Sequence, residues 1–471
     1  MQMPVSSLEQ VRDILKSCLG ESGFVELRFH AKSTRSLTVE KGRVENFSTR
    51  YREGTGVRVL EDGSFGFAAC GSADSASVKA AIHEARAAAR QGAGRRRQRV
   101  QGLASTELAH GHFELDGVSD VLGRPLEEKV ALAREAEEAT RSASERVTTA
   151  LCTYNEILEE KAIVTTDGAD CSFRLVRPEF RVSAVASDRG ERQVASRNLG
   201  VTGSWQCLFR ADSATELAQR AAATAVDLLK ARRPEGGRRT VILAPSIVGL
   251  LVHEAIGHTV EADFVTAGSV AAGKIGQRVA SDLVNLCDSG LSPYADGAGG
   301  MLPVDDEGVP TERTVIIQNG ILKSYLHDRE SASRFGVRPT GSARAWEYSD
   351  PPLIRMRNTY LEPGTSSLEE MIAGVEDGFL LDGPRNGQAD STGEFMFGVE
   401  RAYRIQHGKL GELVRGVTIS GVAFHVMQTV DAVSSDFRWD LGSGYCGKGQ
   451  PAKVDAGGPY IRCQVLLGGE Q

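Results

Sequence analysis

Several things are scarce in this 471-residue chain. Aromatic residues make up only 6%, histidines number 9, and none of the eight cysteines (Cys18, Cys70, Cys152, Cys171, Cys207, Cys287, Cys446, Cys463) forms a C-x-x-C pair. Cysteines scattered in this way give no dense disulfide framework of the kind that staples small secreted domains, so reduced thiols in a cytoplasm are expected. Positive charge is not in excess. A formal net charge of −7 argues against nucleic acid as a main partner, because phosphate binding needs a basic face. The one basic cluster, GRRRQRV at Gly94–Val100, contains no aromatic residue and reads as a solvated linker. Long hydrophobic runs are missing as well. The most apolar stretch, Thr240–Val252, is broken by Pro245 and is too short to span a bilayer. The first twenty residues lack a basic start followed by an apolar run, so no signal peptide is expected.

What remains is an ordinary globular composition, 41% hydrophobic and 25% charged, with 52 glycines that favour turns and hairpins. The length implies about two or three domains. Extended, β-rich arms flank Gly42 and Gly63, and Asp167-Gly168, Asn319-Gly320 and His407-Gly408 give further turn signals. Helical composition is found at Ala76–Arg90, Glu127–Ser142, Thr215–Arg232 and Leu368–Val375. Capping boxes are expected at Ser6-x-x-Glu9, Ser213-x-x-Glu216 and Ser366-x-x-Glu369. Hairpin links outnumber helical crossovers, which predicts a multi-domain α+β fold with mainly antiparallel sheets. The basic segment and the Pro/Gly-rich Arg232–Arg239 suggest an N-terminal hairpin-rich domain over 1–95, a middle domain over 96–235 and a C-terminal domain over 236–471.

The C-terminal segment opens with a strand, TVILA, then Pro245 in the first turn of a helix, then LLVHEAIGHTVEADF. His253 and His258 are five residues apart, as H-E-x-x-x-H, not the four of a zinc-protease helix. On a regular helix a four-residue step leaves two side chains roughly 40° apart and a five-residue step roughly 140°. Two imidazoles at zinc-ligand distance therefore call for a widened, π-type turn, which Gly257 would ease. A buried histidine in an apolar helix is more often a hydrogen-bonded core residue than a ligand. Two of them accompanied by Glu254, Glu261 and Asp263 favour a metal, since buried ionisable groups are costly unless paired or metal-bound. For the third ligand, spacing leaves Glu261, Asp263, His327, His425 and Cys446 open. Cys446 stands out for its glycine-rich surroundings, DLGSGYCGKGQPAK. Asp305-Asp306-Glu307-Gly308 lacks the ligand spacing of a calcium loop and reads as a solvated turn, while His83, His110, His112 and His407 read as surface residues.

The segments HEAIGHTVEADF, MLPVDDEGVPTERTVIIQNGILKSYLHD, IRMRNTYLEPGTS and GYCGKGQPA, with the N-terminal TVEKGRVENFSTRYREGTGVRVLEDGSFGFA, resemble the TldD/PmbA metallopeptidase family, specifically its metal-bearing TldD-type subunit. The likeness covers most of the chain and is weakest in the middle. It implies His253, His258 and Cys446 as zinc ligands and Glu254 as catalytic base, in a cytoplasmic zinc-dependent peptidase that hydrolyses unfolded or extended peptides, for protein turnover or for maturing a modified peptide. It also implies a heterodimer with a paralogous PmbA/TldE-type subunit lacking the metal motif; a homodimer is the other possibility. The sequence departs from the family's usual C-G-K-x-G-Q, having the one-residue-shorter C-G-K-G-Q, so the loop after Cys446 is expected to run differently. Two competing readings are a hydrolase with Cys446 as nucleophile and a non-catalytic protein-binding modulator with a structural metal.

Overall fold

A computed structural model gives the fold, describing residues 7–20, 23–94 and 99–469. The expected α+β architecture with mainly antiparallel sheets is present. The first sheet is built from β1 (Phe24–Glu40), β2 (Arg43–Glu61), β3 (Ser64–Cys70), β4 (His110–Glu114), β5 (Val147–Thr165), β6 (Asp170–Asp188) and β7 (Glu191–Gly200). Their order is β3-β2-β1-β5-β6-β4, with β7 also on β6, and only the β4–β6 pairing is parallel. The turns at Gly42 and Gly63 hold both central residues at positive φ (Lys41 51°, Gly42 70°; Asp62 52°, Gly63 73°), the backbone that matches strand twist in a two-residue hairpin. Because β1 pairs with β5, the boundary expected at 95/96 falls between strands of one shared sheet; residues 95–98 of the basic segment lie outside the described residues.

Strict alternation in β1 decides what each face does. Val25, Leu27, Phe29 and Ala31 pack into a core with the helices Leu8–Cys18 and Ser75–Ala93. Glu26, Arg28, His30 and Lys32 point the other way and are also buried, under loops of the C-terminal segment. Asp305, Asp306 and Glu307 are part of that cover, so the solvated turn expected there is corrected: all three are almost completely buried. Asp306 and Glu307 are counter-ions of the sheet, while Asp305 accepts from the backbone N–H groups of Glu307, Val309 and Ala343. Lys161 Nζ lies 2.7 Å from Asp306, and Arg58 lies 2.5 Å from both Glu26 and Glu307.

Helix starts follow side-chain reach. The Ser213/Glu216 box is present, but the other two sit one residue later, at Ser7/Gln10 and Ser367/Glu370. Both sites have doubled serines, which offer two registers, and Ser6 lies outside the described residues. In the C-terminal segment β8 (Gly237–Leu243) lies between the strands Asp377–Ala389 and Ile461–Gly468. A second sheet includes Leu286–Ser289, Asn358–Leu361 and Asp455–Gly458. The helix Pro245–Leu251 packs against both sheets; a Cβ on Gly249 would come within 2.8 Å of the Ala456 carbonyl. Among the described residues no helix is long and apolar enough to cross a membrane, and no cysteine is in a disulfide.

Candidate metal centre

Pro245 occupies the first turn of its helix, as expected, and Val241, Leu243, Ile247, Val248 and Leu251 are buried around it. Beyond Leu251 the helix widens. Val252–Gly257 is a π-helix, in which the His258 N–H donates to the His253 carbonyl five residues back. One extra residue per turn lets a five-residue step cover the angle that four normally cover. The two imidazoles consequently share a face, with ring centroids 5.3 Å apart. Gly257 has a different role from the one expected. Its backbone is ordinary helix (φ −54°, ψ −49°), but a Cβ there would lie 2.0 Å from Met356 Sδ, so close packing requires the glycine.

Cys446 approaches from the opposite side. It lies on the short strand Tyr445–Gly447, paired with Pro451–Lys453 across the Lys448-Gly449-Gln450 turn, where Gly449 has φ 73°. Its Sγ is 3.0 Å from His258 Nε2. Among the described residues, His253, His258 and Cys446 are the one group of potential ligands whose donor atoms all fall within 4.8 Å of one another. Burial alone would raise the Cys446 thiol, but His253 and His258 outweigh it and bring it down to about 4. For His258 burial acts downward, while Cys446 and Glu261 carry the ring up to about 10. The Cys446 thiolate and the protonated His258 ring therefore stabilise each other as an ion pair.

The pocket between them suits a cation. His253 is 2% exposed, and neither of its ring nitrogens has a hydrogen-bond partner of ordinary geometry among the described residues. Leaving a buried polar atom unpaired is costly, and coordination would remove that cost. Two imidazoles and one thiolate form a donor set that zinc accepts, with a fourth position left open.

The remaining candidates are placed elsewhere. Glu261 is fully buried behind His258, its Oε2 3.0 Å from Nδ1, and Lys448 Nζ reaches the same oxygen at 3.0 Å. Lys448 also donates to Asp263 Oδ1 at 2.8 Å and to the Ile354 carbonyl at 3.0 Å. The shortened loop thus ties the cysteine hairpin to the carboxylate that orients His258. Glu254 is 29% exposed beside the group, with its Oε2 3.8 Å from His258 Nε2. His327 bonds Ser331 Oγ at 3.1 Å, and His425 is exposed; neither joins the group. Sequence reasoning missed Glu179, which holds the cysteine hairpin by accepting from Tyr445 Oη at 2.7 Å and pairing with Lys453. No local pattern marks it.

Known proteins share this arrangement's framework. The chain matches family models for PmbA/TldA metallopeptidase domain 1 over residues 25–89, the central domain over 120–229 and the C-terminal domain over 236–467. It is 35% identical over 453 residues to a metalloprotease of Methanothermobacter thermautotrophicus, covering 95% of each chain. It is 38% identical over 242 residues to a zinc metalloprotease TldD homolog of Saccharolobus solfataricus, covering 51% of this chain and 54% of that one. The solved structure of TldE from Thermococcus kodakarensis superposes with a TM-score of 0.77 at 18% identity, covering 98% of both chains. With matches along nearly its whole length, the chain belongs to the PmbA/TldA metallopeptidase family.

Proposed function

We propose that the protein is a zinc-dependent peptidase acting on unfolded or extended peptides, with His253, His258 and Cys446 as the metal ligands and Glu254 as the general base. One observation carries this reading: a buried His253, with no hydrogen-bond partner of ordinary geometry among the described residues, faces His258 and Cys446 at ligand spacing. The names of the relatives support the same chemistry, zinc being named for the Saccharolobus solfataricus protein. When bound, zinc supplies Lewis acidity towards a carbonyl and lowers the pKa of water. The protein's own groups do the rest. Glu261 accepts from His258 Nδ1, which leaves Nε2 free to face the ligand group. Glu254, partly exposed at the edge of the group, takes a proton from water and passes it to the leaving amine. Substrate peptides are held extended, in the manner of a strand added to a sheet edge. The likeness to TldE makes a metal-free paralogue the proposed partner, in a cytoplasmic heterodimer, with a homodimer as the alternative.

Elemental analysis of purified wild type, His258→Ala and Cys446→Ala tests the site. Near-stoichiometric zinc in the wild type, lost in both variants, is the expected result. Zinc that survives Cys446→Ala would reassign the third ligand, and no zinc after reconstitution would defeat the peptidase reading in favour of a binding module. The Cys446 thiolate beside His258 also fits a cysteine nucleophile with a histidine base. Inhibition by thiol reagents with no metal requirement would favour that second reading.

A further inference from the structure

The charged face of the first sheet is mostly neutralised by carboxylates from the C-terminal segment. Lys161 meets Asp306, Arg58 meets Glu307, and Arg52 meets Glu347 at 2.7 Å. At one end this pattern stops short. Lys32 on β1 is 7% exposed, yet among the described residues neither it nor Arg50 on β2 has a carboxylate within ion-pair distance. Lys32 Nζ instead donates to the Trp346 carbonyl at 2.7 Å and sits 3.2 Å from the centre of the Trp346 ring. Register places Lys32 beside Arg52 and Thr34 beside Arg50, so all three cations crowd one patch of sheet. Above that patch is a cavity of about 480 Å³, floored by Lys32, Arg50 and Arg52 and walled by Trp346, Glu347 and Tyr445. Trp346 and Tyr445 meet edge to face, 5.6 Å between centroids, and Tyr445 directly precedes Cys446 on the hairpin.

We propose that this cavity is a subsite for a carboxylate group of a peptide, either an acidic side chain or a chain terminus, seated over Lys32 and Arg50 as Asp306 and Glu307 are seated farther along the same sheet face. The proposal rests on the peptidase reading for its choice of a peptide as ligand. A buried ammonium with no carboxylate at ion-pair distance among the described residues is unfavourable, and a ligand carboxylate removes that deficit. Burial, with Lys161 and Arg177 nearby, outweighs the more distant Glu347 and Asp350 and brings the Lys32 ammonium down to about 7. Arg50 offers a planar, two-pronged donor at the open side, and the aromatic walls suit the apolar stem of a glutamate.

Calorimetric titration of the zinc-loaded, turnover-deficient Glu254→Gln protein tests this. The probes are acetyl-Ala-Ala-Glu-Ala-Ala-amide, its Gln counterpart, acetyl-pentaalanine with a free carboxylate, and inorganic phosphate. One of the two carboxylated peptides should bind about tenfold tighter than the Gln peptide, the factor for one charge-assisted contact. Whichever does so identifies side chain or terminus as the source. The advantage should vanish in Arg50→Gln, an exposed position where substitution leaves the fold intact, and should shrink in added salt. Equal binding of the Glu, Gln and free-carboxylate peptides, a preference unchanged by Arg50→Gln, or binding of phosphate alone would overturn the proposal. Because binding is read without turnover, a carboxylate preference in a protein whose wild type hydrolyses no peptide would defeat the peptidase reading alone.

Discussion

At Gly257 a missing side chain lets the helix carrying His253 and His258 pack closely, since Met356 Sδ occupies the space a Cβ would need. Gly257→Ala should therefore cost about 1–3 kcal/mol, the usual range for overpacking a well-filled core. Urea denaturation checks this, and most of the Gly257→Ala cost should disappear when it is measured in a Met356→Ala background. Glu254 lies at the other extreme: it is partly exposed, with its Oε2 3.8 Å from His258 Nε2. Glu254→Gln should keep stoichiometric zinc while kcat falls by about 10²–10⁴, as expected for loss of a general base. Loss of metal together with activity would instead make Glu254 part of the binding set. Both residues are conspicuous in the sequence. The reason for Gly257 was not, because its neighbour Met356 is about a hundred residues away.

Two local elements bring the proposed ligands together, and they were legible to different degrees. The π-turn could be inferred from spacing alone, because a five-residue step between two inward-facing histidines leaves a regular helix few alternatives. The cysteine hairpin could not, since its position depends on Arg355 donating to the Cys446 carbonyl at 2.6 Å and on Glu179 of β6 bonding Tyr445. Glu179→Gln weakens that anchor without touching a proposed ligand. Competition with a chelator should show zinc affinity about 10–100-fold lower, in line with other outer-shell changes at metal sites. The thiolate-to-metal absorption band of the cobalt-substituted protein should broaden or shift. Unchanged affinity together with an unchanged band would make Glu179 purely structural.

At the scale of the whole molecule, a layer of buried ion pairs joins the first sheet to the C-terminal segment. Asp306 is central to it, accepting from Lys161 at 2.7 and 2.9 Å with Arg28 3.6 Å away. Burial would raise its carboxyl, but Lys161 and Arg28 outweigh that and hold it at about 2, below the ordinary 3.8. A carboxyl whose folded value is depressed adds stability above its unfolded pKa and loses it as the pH falls through the folded one. The contribution, about 2 kcal/mol, should therefore be lost between about pH 4 and pH 2. Asp306→Asn should flatten that acid limb and cost about 3–5 kcal/mol at neutral pH, because two buried cations lose their counter-charge. Thermal unfolding across that pH range checks both; an unaltered acid limb would count against the pairing.

The sequence by itself determined what depends on neighbours along the chain: the positive-φ hairpins at Gly42 and Gly63, the Ser213/Glu216 cap, the Pro245 helix start and the widened turn carrying His253 and His258. Each is set within a few residues by backbone geometry, and its pattern is therefore written locally. Tertiary structure alone decided which distant residue completes the group and where charge is buried. Cys446, rather than His327 or His425, meets His258 across 188 positions, and Asp306 and Glu307 are buried counter-ions rather than part of a wet turn. A carboxylate reads the same in sequence whether water or a guanidinium will neutralise it, and only the packing of one segment on another makes that choice.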